Sequence, residues 1–397
     1  MPFTKKQREF LDNANHRWNI KSGATRSGKT YLDYFCIPKR IRSVSGKEGL
    51  VVLLGNTKGT LQRNIIEPLQ NIWGTGLVSD IKSDNTAYMF GEKVYCLGAD
   101  KVNQVNRIRG SSIKYCYGDE VVTWHKDVFD MLKSRLDKPY SKFDGTCNPD
   151  NPRHWFKEFI DSNADIYCQE YCIDDNIFLS KDFVDNLKKE YYGTVLYDRY
   201  ILGKWVLAEG LVFGNFKEEK TCIEEVPDNE YCEYYVSVDY GITNPFAAIL
   251  WRVEQECAYA IDMYYYDSKK AGYRKTDEEH YASLDKMIGD RVIQTIVLDP
   301  SCTSFKETIA RHDKYDFENA NNDVMSGIGN TAVLLNTDYL KIVKSKCQPL
   351  IDEFGLYRWN EESIKDEVIK ENDHCCDAAR YFINTVLKYE FDWLDWS

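Results

Sequence analysis

Hydrophobic positions along the chain follow two rhythms. In the first part, residues 49–55, GLVVLLG, form a continuous apolar run bounded by glycines, the pattern of a parallel strand buried on both faces. RWNIKSG (17–23) predicts a strand leading into a helix at KTYLDYFCIPKRI (29–41), and SIKYCYGDE (112–120) and SKFDGTCNP (141–149) predict strands that end in polar turns. Residues 5–14 and TLQRNIIEPLQNI (60–72) carry helical spacing. Strands alternating with helices predict a parallel sheet covered on both faces. Residues 155 to 205 read as mostly helical, and AEGLVFGNF (208–216) as a linker or extended crossover. The rhythm then changes. YYVSVDYG, FAAILWRV and CAYAIDMYYY follow one another with short turns between them, which predicts an antiparallel meander. TIVLDPS is a further strand and HCCDAARYFINTVL (374–387) a helix, giving a mixed α/β second part.

Composition supports this division. A chain of 397 residues, 43% hydrophobic and 29% charged, suits two or three soluble domains with their own cores. No run approaches the roughly 20 apolar residues of a membrane span, and MPFTKKQREF has no apolar leader, so no membrane association is expected. Thirteen cysteines without a CxxC pair point to reduced thiols rather than a disulfide framework or a zinc site. The net charge of -12 is uneven: the first 210 residues are slightly basic on balance and the remainder strongly acidic.

The stretch Gly23-Ala24-Thr25-Arg26-Ser27-Gly28-Lys29-Thr30 fits the P-loop pattern at every constrained position. Glycines let backbone N–H groups turn toward phosphate oxygens, and the helix that follows favours an anion at its start. Lys29 is placed to reach the β- and γ-phosphates and the Thr30 hydroxyl to hold Mg²⁺. Asp119 ends a strand, the position for holding that magnesium, and Glu120 beside it suits a base for an attacking water. Binding alone needs no second acid, so the pair points to hydrolysis.

GATRSGKT, YGDE and GTCNPDNPRHWF together resemble the large terminase subunits of tailed bacteriophages, near the PBSX-like branch. The resemblance covers nearly the whole chain. It implies a P-loop NTPase domain (residues 1–153), a small helical lid and linker (154–208), and an RNase H-like mixed α/β nuclease domain (209–397). It implies an ATP-driven motor that moves double-stranded viral DNA into a procapsid and cuts the concatemer. In FTKKQREFLD, Gln7 takes the place of the family's adenine reader. Arg26 occupies the place of a basic residue that responds to the γ-phosphate. Thr146 and Asn148 match the motif that couples hydrolysis to movement. In NRIRGSS, Arg109, or alternatively Arg107, matches an arginine finger supplied to a neighbouring subunit. The implied partners are a small terminase subunit and a capsid portal, with a monomer in solution forming a ring on assembly, in the cytoplasm of an infected bacterial host.

Asp239 and Asp299 each read as lying on a strand between apolar neighbours, and a buried carboxylate is costly unless paired or bound to a metal. With Asp377 on the helix that follows, they make three carboxylates suited to two Mg²⁺ or Mn²⁺ ions. The resemblance aligns H-x-x-D-A-x-R-Y with the family's nuclease helix, which favours Asp377 as ligand and His374 as a ligand or outer-shell group; Asp373 is expected to be an N-cap. Asp262 is left unassigned. DSKKAGYRKTDEEH (267–280) reads either as a track for phosphate backbone or as a charged exposed loop. A competing reading makes the chain a nucleotide-gated portal-docking subunit without nuclease activity. A P-loop helicase or kinase-like enzyme is disfavoured, because neither needs a second acidic site.

Overall fold

The computed structural model describes residues 3–102, 110–229, 231–241, 245–255, 257–363 and 365–387. They fall into two compact units, one of residues 1–184 and 195–207, the other of residues 185–194 and 208–397. Arg107 and Arg109 lie outside the described residues.

The first unit is built on β1 (Trp18–Gly23), β2 (Leu50–Gly55), β3 (Thr86–Met89), β4 (Glu92–Gly98), β5 (Ile113–Gly118), β6 (Lys142–Cys147) and β7 (Ile166–Tyr171), in the order β3-β4-β2-β5-β6-β1-β7. All pairings are parallel except β3 with β4. The unbroken apolar run in β2 has a direct cause. Val51 and Leu53 enter a core with Ile37 and Ile41 of α2 (Lys29–Ser43). Val52 and Leu54 enter another core, with Phe129 and Leu132 of the helix Lys126–Arg135. Burial of each such side chain stabilises by about 1.5–3 kcal/mol. Lys114, a polar interruption in β5, is buried and satisfied by Glu92 at 2.9 Å and the Lys47 carbonyl at 3.0 Å.

Two expectations need correction. TLQRNIIEPLQNI is not one regular helix: a π-helical turn, Gln62–Ile66, separates Lys58–Leu61 from Glu67–Trp73. Pro68 cannot donate to the Asn64 carbonyl, which accepts from the Tyr34 hydroxyl at 2.9 Å instead. The stretch from 155 to 205 is less helical than its pattern suggests. β7 lies within it and pairs with β1 from Trp18↔Ile166 to Gly23↔Tyr171, which draws this stretch into the first sheet.

The second unit is built on β8 (Cys222–Ile223), β9 (Glu233–Asp239), β10 (Phe246–Glu254), β11 (Cys257–Tyr266), β12 (Ile293–Leu298), β13 (Phe317–Asn319) and β14 (Leu340–Val343), in the order β13-β12-β9-β10-β11-β14-β8. β9, β10 and β11 form the antiparallel meander, and the flanking pairings are parallel. Alternation along β9 sends Val236 and Val238 into a core with Leu284 and Phe305 of the helices Asp277–Ile288 and Thr303–His312. The opposite face meets the helix His374–Thr385, where Trp251 stacks on Phe382 with centroids 4.5 Å apart. Asp239 belongs to that second face. All thirteen cysteines are unpaired. Among the described residues, no helix is long and apolar enough to cross a membrane.

Candidate functional site

At the end of β1 the chain turns through residues 23–28 and enters α2. Arg26 has φ 56°, Gly28 has φ 85° and forms the N-cap, and the Arg26 side chain is exposed. Gly23 is required by close approach: a Cβ there would stand 2.0 Å from the Tyr171 carbonyl oxygen, and a Cβ on Gly203 would meet the same oxygen at 2.0 Å. That carbonyl accepts the Ala24 N–H at 2.8 Å. The Ser27 hydroxyl donates to the Ala24 carbonyl at 2.7 Å, and the Thr25 hydroxyl to the Tyr200 carbonyl at 3.4 Å. Asn176 donates to the Arg26 carbonyl at 2.6 Å and steadies the turn from outside.

The Lys29 ammonium sits inside this turn. It donates to the carbonyls of Gly23 (2.8 Å) and Ala24 (2.5 Å) and to Asn148 Oδ1 (3.1 Å). Burial pushes its pKa down to about 8, against the pull of Glu120 and Asp119. Gln7 is buried beside the turn. Its Oε1 accepts from Thr4 N–H at 2.9 Å and its Nε2 donates to the Gly28 carbonyl at 3.0 Å, so it ties α1 (Lys5–Asn13) to the cradle.

Asp119 and Glu120 follow β5. Burial pushes Asp119 up to about 7, with Glu120 and Asp33 adding to the effect. Its Oδ1 accepts from the Thr146 hydroxyl at 3.3 Å and the Tyr117 hydroxyl at 3.4 Å. Glu120 is exposed and has φ 47°, a left-handed conformation rare for a side chain of this size. Its N–H donates to Thr146 Oγ1 at 3.3 Å. Thr146 thus contacts both acids while Asn148, two residues on, contacts Lys29. The oxygen donors Thr30 and Asp119 fit a hard dication arriving with a triphosphate, since a cation would offset the burial of the Asp119 charge.

In the second unit the structure links Asp239, Asp299 and His374. His374 Nδ1 lies 2.8 Å from Asp239 Oδ2, and the Tyr381 hydroxyl bridges Asp239 Oδ1 (3.4 Å) and Asp299 Oδ2 (3.0 Å). Burial pushes Asp239 up, although His374 opposes the shift. Burial alone would lower His374, but Asp239 holds it above its ordinary value. At Asp299 burial is outweighed by the Ser301 hydroxyl and N–H (2.5 and 2.7 Å from Oδ1), so its carboxyl titrates low.

Asp377, whose charge also reaches Asp239, has its own hydrogen-bond partners. Its Oδ1 accepts from Arg380 Nη2 (2.7 Å) and Nε (3.2 Å), and its Oδ2 faces Lys370 at 3.4 Å. Among the described residues no three His, Cys, Asp or Glu side chains form a group arranged to hold a metal. Asp239, Asp299 and Asp377 all act electrostatically on the Tyr381 hydroxyl, and His374 is bonded to Asp239, so the four predicted residues share one region of the second unit, with Asp377 held by Arg380. Asp373 stands at the N-cap without a side-chain capping bond. The helix start is capped from outside by Glu353, whose Oε2 accepts the N–H groups of Cys375 (2.6 Å) and Cys376 (3.3 Å). Asp262 accepts the N–H of Met263 at 2.9 Å. In the 267–280 segment, Lys275 lies over the rings of Tyr264 and Tyr266.

Sequence reasoning overlooked Tyr117, Asp33, Tyr381, Arg380 and Glu353. Periodicity signals four of them: Tyr117 is two residues before Asp119 on a strand, Asp33 one turn after Lys29, and Arg380 and Tyr381 one turn after Asp377. Glu353 comes from another helix and has no local signal.

Comparison with curated proteins gives no match. Among solved structures, the large terminase of a thermophilic bacteriophage superposes with a TM-score of 0.87 at 32% identity, covering 98% of this chain and 100% of that one. The complexes of that phage terminase with ADP (31% identity) and with ATP-γ-S (32%) each superpose with a TM-score of 0.83, covering 97% of this chain and 100% of those. Residues 20–220 match the family model for the terminase large subunit, T4likevirus-type, N-terminal. With that model spanning half of the chain and the likeness to the thermophilic phage enzyme running through both units, the protein belongs to the terminase large subunit family.

Proposed function

We propose that the chain is the ATP-hydrolysing motor of a viral DNA-packaging machine. The observation that carries this reading is the set of contacts made by one short segment: Thr146 touches Asp119 and the Glu120 N–H, and Asn148 touches Lys29. Glu120, at the exposed lip, is suited to take the proton of an attacking water. Lys29 would meet charge on the β- and γ-phosphates, with Arg26 beside it. Bound Mg²⁺, held by Thr30 and Asp119, would neutralise phosphate charge. Any change in the γ-phosphate region is then felt by β6 through Thr146 and Asn148, the expected start of force generation. The complexes of the thermophilic phage terminase with ADP and ATP-γ-S support a nucleotide at this cradle. Arg109 or Arg107 serves as the finger for a neighbouring subunit in a homo-oligomeric ring on the capsid portal, which receives double-stranded viral DNA with a small terminase subunit in the host cytoplasm. ATPase assays of wild type and Lys29→Ala with and without DNA test the motor; a wild type without ATPase under any condition refutes it.

For the second unit we propose an RNase H-like DNA endonuclease, with residues 1–153, 154–208 and 209–397 as ATPase, lid and nuclease. The support is the placement of Asp239 and Asp299 at the ends of the neighbouring strands β9 and β12, joined through Tyr381. The pairing of Asp377 with Arg380 favours the second reading, a portal-docking subunit that does not cut. Nicking of plasmid DNA in Mg²⁺ or Mn²⁺ by wild type and Asp239→Ala separates the two.

A further inference from the structure

Beneath the acid pair lies a buried polar chain that the cradle chemistry does not use. Tyr117 is completely buried on β5, two residues before Asp119 and on the same face of the strand. Its hydroxyl lies 3.4 Å from Asp119 Oδ1 on one side and 3.4 Å from Asp33 Oδ2 on the other. Asp33 is on α2, one turn beyond Lys29 and Thr30, and its other oxygen is 2.7 Å from the Lys21 ammonium of β1, with both side chains fully buried. Packing alone needs no hydroxyl here. A phenylalanine would fill the same space, and a buried hydroxyl is costly unless it is bonded: its one proton goes to one carboxylate or is shared, and a protonated carboxyl can donate back to the oxygen.

We infer that Tyr117 is a positioning residue for phosphoryl transfer, its hydroxyl tying the Asp119 carboxylate to the helix that carries Lys29 and Thr30. Asp119 has Thr146 on β6 as a second hydroxyl partner, so its carboxylate is held from both the cradle helix and the coupling strand. Losing the Tyr117 hydroxyl leaves Asp119 tied to β6 alone and free to rotate away from a cation beside Thr30. This inference rests on the proposed ATPase reading.

The test is Tyr117→Phe, with Tyr115→Phe as the control. Tyr115 lies on the same face of the same strand, equally buried, but its hydroxyl donates to Asp144 at 3.2 Å. Tyr117→Phe should lower kcat about tenfold, the scale of one hydrogen bond, with the KM for ATP changed less than about twofold. The Mg²⁺ concentration for half-maximal activity should rise several-fold. Binding of a fluorescent N-methylanthraniloyl ATP should show the same shift in Mg²⁺ dependence, without turnover. Tyr115→Phe should lower Tm and move neither quantity. If Tyr117→Phe does not fold, 3-fluorotyrosine at position 117 keeps the shape and changes only the donor strength, and should also move the Mg²⁺ midpoint. Wild-type Mg²⁺ dependence in the folded Tyr117 variant, or equal shifts in both variants, overturns the inference. Absence of ATPase in the wild type refutes the motor reading instead, while the nucleotide-binding measurement still decides the role of Tyr117.

Discussion

Asn148 Oδ1 accepts a hydrogen bond from the Lys29 ammonium at 3.1 Å, joining the end of β6 to the cation of the cradle. In the proposed motor Lys29 has two roles, as the charge facing phosphate and as the partner of the segment assigned to coupling. The two are separable. Lys29→Ala should weaken ATP binding and cut turnover by about 10²–10³, as expected for loss of a preorganised charge. Asn148→Ala should leave nucleotide affinity within about twofold and lower kcat roughly tenfold, the scale of one hydrogen bond. Titration with fluorescent nucleotide beside steady-state ATPase distinguishes the two patterns.

Glu120→Gln should bind ATP normally and turn over about 10²–10⁴ times more slowly, because the amide cannot accept the water's proton. Glu120→Gly should be equally slow but raise Tm, since glycine adopts the φ of 47° without the strain of roughly 1–3 kcal/mol carried by a substituted residue. A Glu120→Gly protein with a lower Tm would show that the side chain contributes more by contact than its backbone conformation costs.

Asp119 gives the stability of the fold a pH dependence. Its folded-state pKa, about 7, lies above the ordinary carboxyl value of 3.8, so the native state holds a proton that the unfolded chain releases. Stability therefore falls as pH rises from about 4 to 7, and the full cost is present above 7. Asp119→Asn should raise Tm more at pH 8 than at pH 5, measured without nucleotide or divalent metal. Equal increments at the two pH values would place the carboxyl outside this titration.

Asp239→Ala should abolish nicking of supercoiled plasmid in Mn²⁺ and leave ATPase unchanged, because the substitution is confined to the second unit. Tyr381→Phe, which removes the bridge between Asp239 and Asp299, should reduce nicking about tenfold. Nicking that persists in Asp239→Ala would remove this acid from the chemistry.

How much of this was legible in the chain follows from where each signal resides. The P-loop turn, β2 and the β9–β11 meander are written in local periodicity, and each is found where the pattern places it. β7 was lost in a stretch that read as helical, because Ile166–Tyr171 becomes a strand only by pairing with β1, a partner far back in the sequence. Asp239 and Asp299 were visible as acids within apolar strands, although the structure puts them at the strand ends, and their partners were not visible. Arg380 and Tyr381 sit in the same helix as Asp377, and no spacing rule says which carboxylate each will engage. Gln7 was visible only through resemblance; its bonds to Thr4 and Gly28 depend on how α1 meets the cradle.

The Tyr171 carbonyl, crowded by Gly23 and Gly203 and bonded to Ala24, is a point where three stretches of backbone meet without a side chain between them. Side-chain contacts absorb small displacements by changing rotamer, whereas backbone in van der Waals contact has no such slack. A shift at the start of the cradle would therefore press directly on the end of β7 and on the segment around Gly203. The cradle is thereby in direct backbone contact with the stretch that closes the first unit, and in the proposed motor this contact would give the work of hydrolysis a stiff path out of the site.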